Sequence, residues 1–234
     1  MIGYLHRKLH NLTHPMLGRI LMLHRVVEHR SDGANHELEI TPDFLERTID
    51  DYRRLGHKFV SIDEACDIIS RGRTDLPFVC LTFDDGYQDN YNTAYPILKK
   101  LEVPFTIYLT TGFIDNRIPM QWYSNEHLGI STESLKALDI EPLCTIGAHT
   151  IRHPRLDTLT AEEQEKEILQ SRQELETLLG HPIRHFSYPH GSYNNKTIDI
   201  VRDNGFLSAL CAWGGSIRRG ANQLLLSRIE LRQP

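Results

Sequence analysis

Phe78-Val79-Cys80-Leu81-Thr82-Phe83-Asp84-Asp85-Gly86 is the stretch from which the rest of this 234-residue chain can be read. Its first six residues are largely apolar and rich in β-formers, the pattern of a strand buried on both faces, and they run directly into two aspartates and a glycine. Asp84 and Asp85 therefore fall at the carboxyl end of a strand, where parallel α/β folds bind ligands and do chemistry. Two adjacent carboxylates resist joint ionisation, because each charge disfavours the other. A bound cation removes that conflict. Further ligands stand at His149 and His153, within Gly147-Ala148-His149-Thr150-Ile151-Arg152-His153-Pro154. Their spacing of four predicts two imidazoles on one side of a helical turn, able to share a metal with one carboxylate. The competing reading makes the aspartates an Asp-Gly turn cap and the histidines ordinary surface or core residues. It accounts for one aspartate and leaves the histidine pair unexplained.

Outward from this stretch, strand and helix signals alternate about seven times, which predicts a parallel (β/α) barrel, closed or nearly so, with an open doubly wound sheet as the alternative. Arg19 to His24 reads as a strand ending in histidine, residues 25 to 40 as a polar loop. Thr41-Pro42-Asp43 opens a helix that runs to Gly56. Lys58 to Ser61 is a short strand followed by a helix through Ile69. Asn90 to Leu101 is helical with Pro96 as a possible kink, and Val103 to Leu109 is a strand. The irregular excursion from Gly112 to Pro142 carries Trp122, Tyr123 and a helix near Thr132 to Leu138. After a strand from Leu143 to His149, Thr160 and Glu163 form a capping box for a helix closed by Gly180. His185 to Tyr188 is the next strand, a helix spans Lys196 to Asn204, and strands at Phe206 to Trp213 and Leu224 to Ile229 complete the barrel. His24, Asp84 with Asp85, His149, the Tyr188-Pro189-His190 turn, Trp213 and Arg228 each fall at or just past a strand's carboxyl end, so one barrel mouth gathers them.

Composition narrows the function. A net charge of −5 without any basic tract argues against a nucleic-acid surface. Cys66, Cys80, Cys144 and Cys211 are scattered and form no C-x-x-C pair, the pattern of reduced, buried thiols. One domain over residues 1–234 is expected, with Ile2, Leu5, Leu9 and Leu12 marking an amphipathic helical segment within 1–17, a lid on the barrel or a surface attachment. The opening residues lack the continuous apolar run of a secretory signal and no stretch reaches transmembrane length, which favours the cytoplasm.

Thr82 to Gly86 followed by His149 to Pro154 resembles the first two motifs of the polysaccharide deacetylases, the family 4 carbohydrate esterases with NodB homology. The resemblance implies a distorted seven-stranded barrel in which Asp85, His149 and His153 hold a divalent metal and Asp84 is the general base for water. Zinc suits such ligands, and nickel, cobalt or iron would also fit. The implied substrate is an N-acetylated oligosaccharide or polysaccharide of the N-acetylglucosamine type; many such enzymes act outside the membrane, against the cytoplasmic expectation. The family's general acid is a histidine in a late Leu-x-His motif, which this chain lacks. Met22-Leu23-His24 looks like that motif moved to the amino terminus, as in the circularly permuted poly-N-acetylglucosamine deacetylases, with His24 as acid and Met22 in place of leucine. An ordinary strand-end histidine is the plainer alternative. The third motif keeps Pro189 and Gly191 in Tyr188-Pro189-His190-Gly191, so the His190 N–H is available as an oxyanion donor, but it lacks the usual arginine near Ser187. Arg228 is the candidate substitute as charge partner of Asp84; the bland reading is a rim salt bridge. Trp213 and Met22 are expected to wall the acetyl methyl, although Trp213 also reads as core. Two other functions compete: a metal-dependent amidase or esterase on a small N-acyl or imide compound, and a non-catalytic carbohydrate-binding relative.

Overall fold

A computed structural model describes residues 15–123 and 128–234. The segment proposed within 1–17 lies, up to residue 14, outside the described residues, as does His127, which the sequence offers only as a surface histidine; from Met16 the chain is already strand. The strands are β1 (Met16–Leu23), β2 (Arg25–Val26), β3 (Glu39–Ile40), β4 (Lys58–Phe59), β5 (Phe78–Phe83), β6 (Phe105–Leu109), β7 (Cys144–Ala148), β8 (His185–Ser187), β9 (Ser208–Leu210), β10 (Ile217–Arg218) and β11 (Ile229–Glu230). Among the described residues nine of them form one curled, mainly parallel sheet with the path β10-β1-β5-β6-β7-β8-β9, while β4 adds to β5 and β11 to β1. β5 is central. It pairs in parallel with β1 from Gly18↔Phe78 to Leu23↔Phe83, and with β6 from Leu81↔Phe105 to Phe83↔Ile107.

The last segment bends the sheet back on itself. Leu226 exchanges backbone hydrogen bonds with Ala209 and Cys211 beside β9, and β11 then runs parallel to β1 through Leu21↔Ile229 and Met22↔Glu230. The long strand expected over Leu224 to Ile229 is thus a 3-10 turn (Gln223–Leu225), a single bridge and a two-residue strand. Its short pieces suffice, because each has only to bridge the gap left between β9 and β1.

Alternation along β5 shows how the sheet aims its residues. Phe78 and Cys80 pack in the inner cluster with Leu17, Ile20, Tyr108, Leu210 and Leu226, whereas Val79, Leu81 and Phe83 pack outward against the helices. A period of two then carries Thr82 and Asp84 to the inner side. Along β1 the same rule follows Ile20 with Met22 and His24.

The helices cover the outer face. Thr41 caps the helix Pro42–Arg54, the Thr160/Glu163 capping box opens Ala161–Leu179, and Gly180 closes it at φ 80°. The helix expected over Asn90 to Leu101 divides into a π-helical turn (Asn90–Ala94) and an α-helix (Tyr95–Lys100), with Pro96 in the first turn, where no N–H is needed. Residues 25 to 40 are not a plain loop. β2 and β3 pair in parallel there, held by Arg25 donating to Glu39 at 3.1 Å, with Glu39 buried. The four cysteines are free, and no helix among the described residues is long and apolar enough to cross a membrane.

Candidate active site

Asp84 leaves β5 into the inside of the curl and meets Arg228 there. The guanidinium donates from Nη1 to Asp84 Oδ1 at 2.7 Å and from Nη2 to Oδ2 at 2.6 Å, a fork-on-fork pair. Its remaining donors reach the Cys211 carbonyl, the Thr82 hydroxyl and the Ser187 hydroxyl, so a cation only 1% exposed is fully hydrogen-bonded. Arg228 is a buried partner of Asp84, not a rim salt bridge. Burial pushes the Asp84 carboxyl up, but the charge of Arg228, helped by His149, more than offsets this and holds it well below the usual carboxylate range. Asp84 is therefore ionised at neutral pH.

Asp85 breaks the alternation. Its φ of 72° turns it back toward the same side as Asp84, and Gly86 follows at φ 84°, where an added Cβ would sit 2.4 Å from Leu109 Cδ2. Without Arg228, Asp85 behaves differently from its neighbour: burial raises its carboxyl, with His24 and His149 opposing. Its Oδ1 atom is buried without a hydrogen-bond partner and lies 3.6 Å from His149 Nε2 and 3.4 Å from His153 Nε2.

His149 extends from the end of β7 and is fixed by its Nδ1 donating to the Ser187 carbonyl at 2.7 Å, which leaves Nε2 as the free lone pair. Burial lowers its pKa to about 4, so the ring is neutral at neutral pH. His153 is likewise lowered, to about 3, by burial and by His190 beside it. The two histidines do not share a helical turn. Thr150 and His153 have φ of 67° and 59°, and the loop between them is tied down by the buried Glu167, which accepts from the Ile151 and Arg152 amides at 2.9 and 3.0 Å. Left-handed residues of this kind cost roughly 1–3 kcal/mol each and persist where surrounding contacts over-determine them.

These three residues fit a cation. Their ligand atoms lie within 4.8 Å of one another, and two donors each about 2.1 Å from one tetrahedral ion would stand about 3.4 Å apart. A buried carboxylate oxygen with no partner, facing two neutral imidazole nitrogens, is otherwise costly.

Around this cluster lies a cavity of about 290 Å³, lined by Met22, His24, Asp84, Asp85, His149, His153, Tyr188, His190 and Trp213, all singled out in the sequence. Pro189 is buried and shapes the turn, but it is not among the lining residues. Tyr188 turns its hydroxyl away, donating to the Leu224 carbonyl at 2.9 Å. His190, at φ 56°, stacks edge-on against His153 with centroids 4.3 Å apart. Trp213 is 63% exposed, so it is a rim residue and not a core tryptophan. Leu38, Trp122, Ala212 and Glu230 complete the lining and were not singled out as site residues. Trp122 and Leu38 come from irregular segments whose sequence fixes no direction. Glu167, inside a helix of many charges, carries no mark of its task.

A family model described as polysaccharide deacetylase matches residues 71–209. YxkH of Bacillus subtilis (strain 168) is 30% identical over 153 residues, covering 65% of this chain and 51% of YxkH. The poly-beta-1,6-N-acetyl-D-glucosamine N-deacetylase of Staphylococcus aureus (strain MSSA476) is 23% identical over 180 residues, covering 74% and 60%. The chain spans about half to three-fifths of the length of these relatives. Among solved structures, the Streptococcus pyogenes deacetylase PplD in complex with acetate superposes with a TM-score of 0.79 at 26% identity, covering 92% of each chain. With the curled sheet carrying Asp84, Asp85 and His149 at its strand ends, and a family match over more than half its length, this chain belongs to the polysaccharide deacetylases.

Proposed function

We propose that the chain removes N-acetyl groups from N-acetylglucosamine-type sugars within an oligosaccharide or polysaccharide, using a divalent metal, zinc by preference, held by Asp85, His149 and His153. The unpartnered Asp85 Oδ1 between two neutral imidazoles, at the floor of a cavity that also holds Asp84 and His24, carries this reading. The Staphylococcus aureus relative supports the sugar class by its name, and the acetate bound to PplD has the chemistry of the expected product. When bound, the ion polarises the amide carbonyl and makes a water molecule more acidic.

The chain's own residues then divide the proton work. Asp84 takes a proton from the attacking water: an ionised carboxylate has about four lone-pair sites, the Arg228 fork takes one on each oxygen and the Ser187 hydroxyl a second on Oδ2 at 3.3 Å, so capacity remains on Oδ1. Oxygen adds to the acetyl carbon, the carbon–nitrogen bond breaks, and His24 as imidazolium protonates the leaving nitrogen. Acetate and a free amine result. The His190 N–H is the oxyanion donor in this scheme, and Trp213 at the rim offers a face to the sugar. Met22, only 4% exposed, walls the acetyl methyl below it. In this scheme His24 takes the family acid's role from the end of β1, the strand that β11 pairs through Leu21↔Ile229 and Met22↔Glu230.

The test is acetate release from N-acetylglucosamine oligomers. The expectation is release by the purified chain, loss with a chelator and recovery on adding zinc. Release unaffected by exhaustive chelation would refute the metal role, and no release at any metal loading would refute the activity.

A further inference from the structure

Tyr87 follows Asp84-Asp85-Gly86 directly, and its fully buried side chain returns to the carboxylate. The hydroxyl donates to Asp85 Oδ2 at 3.1 Å, and the indole Nε1–H of Trp122 donates to the same hydroxyl at 2.8 Å. An indole N–H can only donate, so it occupies an acceptor site of the hydroxyl and commits the phenolic proton to Asp85. The direction of the chain Trp122 to Tyr87 to Asp85 is thereby fixed by chemistry. Asp85 is left with two unlike oxygens: Oδ2 tied to Tyr87, and Oδ1 unpartnered and facing the histidines.

We propose that Tyr87 and Trp122 are positioning residues for the metal ligand Asp85, locking the rotation of its carboxylate so that Oδ1 alone is offered to the ion. The proposal rests on the metal reading above. An aspartate's terminal torsion is broad and two-fold, so nothing in the side chain itself selects one oxygen. Tyr87 can select because it is held from every side. Its N–H donates to Asn90 Oδ1 at 3.2 Å, its backbone bridges Gly129, and Arg25 and Tyr123 pack on its ring at 5.5 and 6.1 Å. Trp122 adds a second hold, because its ring also lies 5.1 Å from that of His153. One side chain of the Gly112 to Pro142 excursion therefore braces two of the three ligands while lining the cavity.

The test uses the full chain stripped of metal, with zinc affinity read by competition against a chromophoric chelator and ligand geometry read from the cobalt(II) absorption spectrum. Tyr87→Phe removes one oxygen from a packed ring. It is expected to weaken zinc binding about 10- to 100-fold, the usual cost of losing a partner of a metal ligand, and to change the cobalt spectrum. Trp122→Phe is expected to weaken zinc less, acting through Tyr87. A metal-free Tyr87→Phe protein with wild-type melting behaviour and lowered affinity supports positioning; wild-type affinity and an unchanged cobalt spectrum overturn it. Wild-type protein that binds no zinc is a separate result, overturning the metal reading and this inference with it.

Discussion

Asp84 and His149 stand at the ends of β5 and β7, whereas His153, His190, Trp122 and Trp213 reach the same cavity from loops. On the strand side, position follows from the pleat: Phe78, Cys80, Thr82 and Asp84 share one face, and the adjoining strands hold that face in register. On the loop side, position is imposed by unusual backbone and by tethers, such as the left-handed His153 and His190 and the buried Glu167 that holds residues 151 and 152. The strand side supplies charge and order; the loop side supplies aromatic walls and the third ligand. The two halves should therefore fail differently when altered.

Arg228→Met is the severest way to break the strand side. It leaves the Asp84 carboxylate buried and unpaired, and urea unfolding should show a loss of about 3–5 kcal/mol. Without the guanidinium the Asp84 pKa rises, so the acidic limb of acetate release should move to higher pH. A variant as stable as the parent, with an unmoved acidic limb, would show that this pair does not organise the site. On the loop side Trp213→Ala should do much less. At 63% exposure the residue contributes little to folding, so stability should hold within about 0.5 kcal/mol. Lost aromatic contact should instead raise KM for oligomers roughly 2- to 10-fold while kcat holds. A large drop in melting temperature would erase the distinction between the two halves.

The same division explains what could be read from the sequence. Asp84, His149 and His24 are legible because a strand has a period of two and a known end, so residues far apart in the chain can be placed at one mouth; Asp85 joins them only through a left-handed turn, and Arg228, expected at a strand's carboxyl end, instead stands just before β11. The expectation of a helical turn for His149 and His153 failed for a definite reason. Spacing of four suits a helix, but the left-handed Thr150 and the Glu167 tether bring the rings together on a loop instead. Trp122 was visible only as an aromatic in an irregular excursion, since nothing local dictates that its N–H meets Tyr87. The β2 and β3 pair was missed because two-residue strands carry no periodicity, and buried Glu39 reads as one more polar residue. Closure by Leu226, Ile229 and Glu230 was expected as a longer strand, because an apolar run reveals burial but not how many residues pair.

Anomalous scattering at the zinc edge, from crystals of the full chain equilibrated with zinc, tests the central arrangement most directly. The account predicts one strong peak about 2.0–2.2 Å from Asp85 Oδ1, His149 Nε2 and His153 Nε2, with Asp84 held by Arg228 and outside the ligand set. No peak at that position, or an ion bound by Asp84 with either imidazole turned away from Asp85, would contradict it.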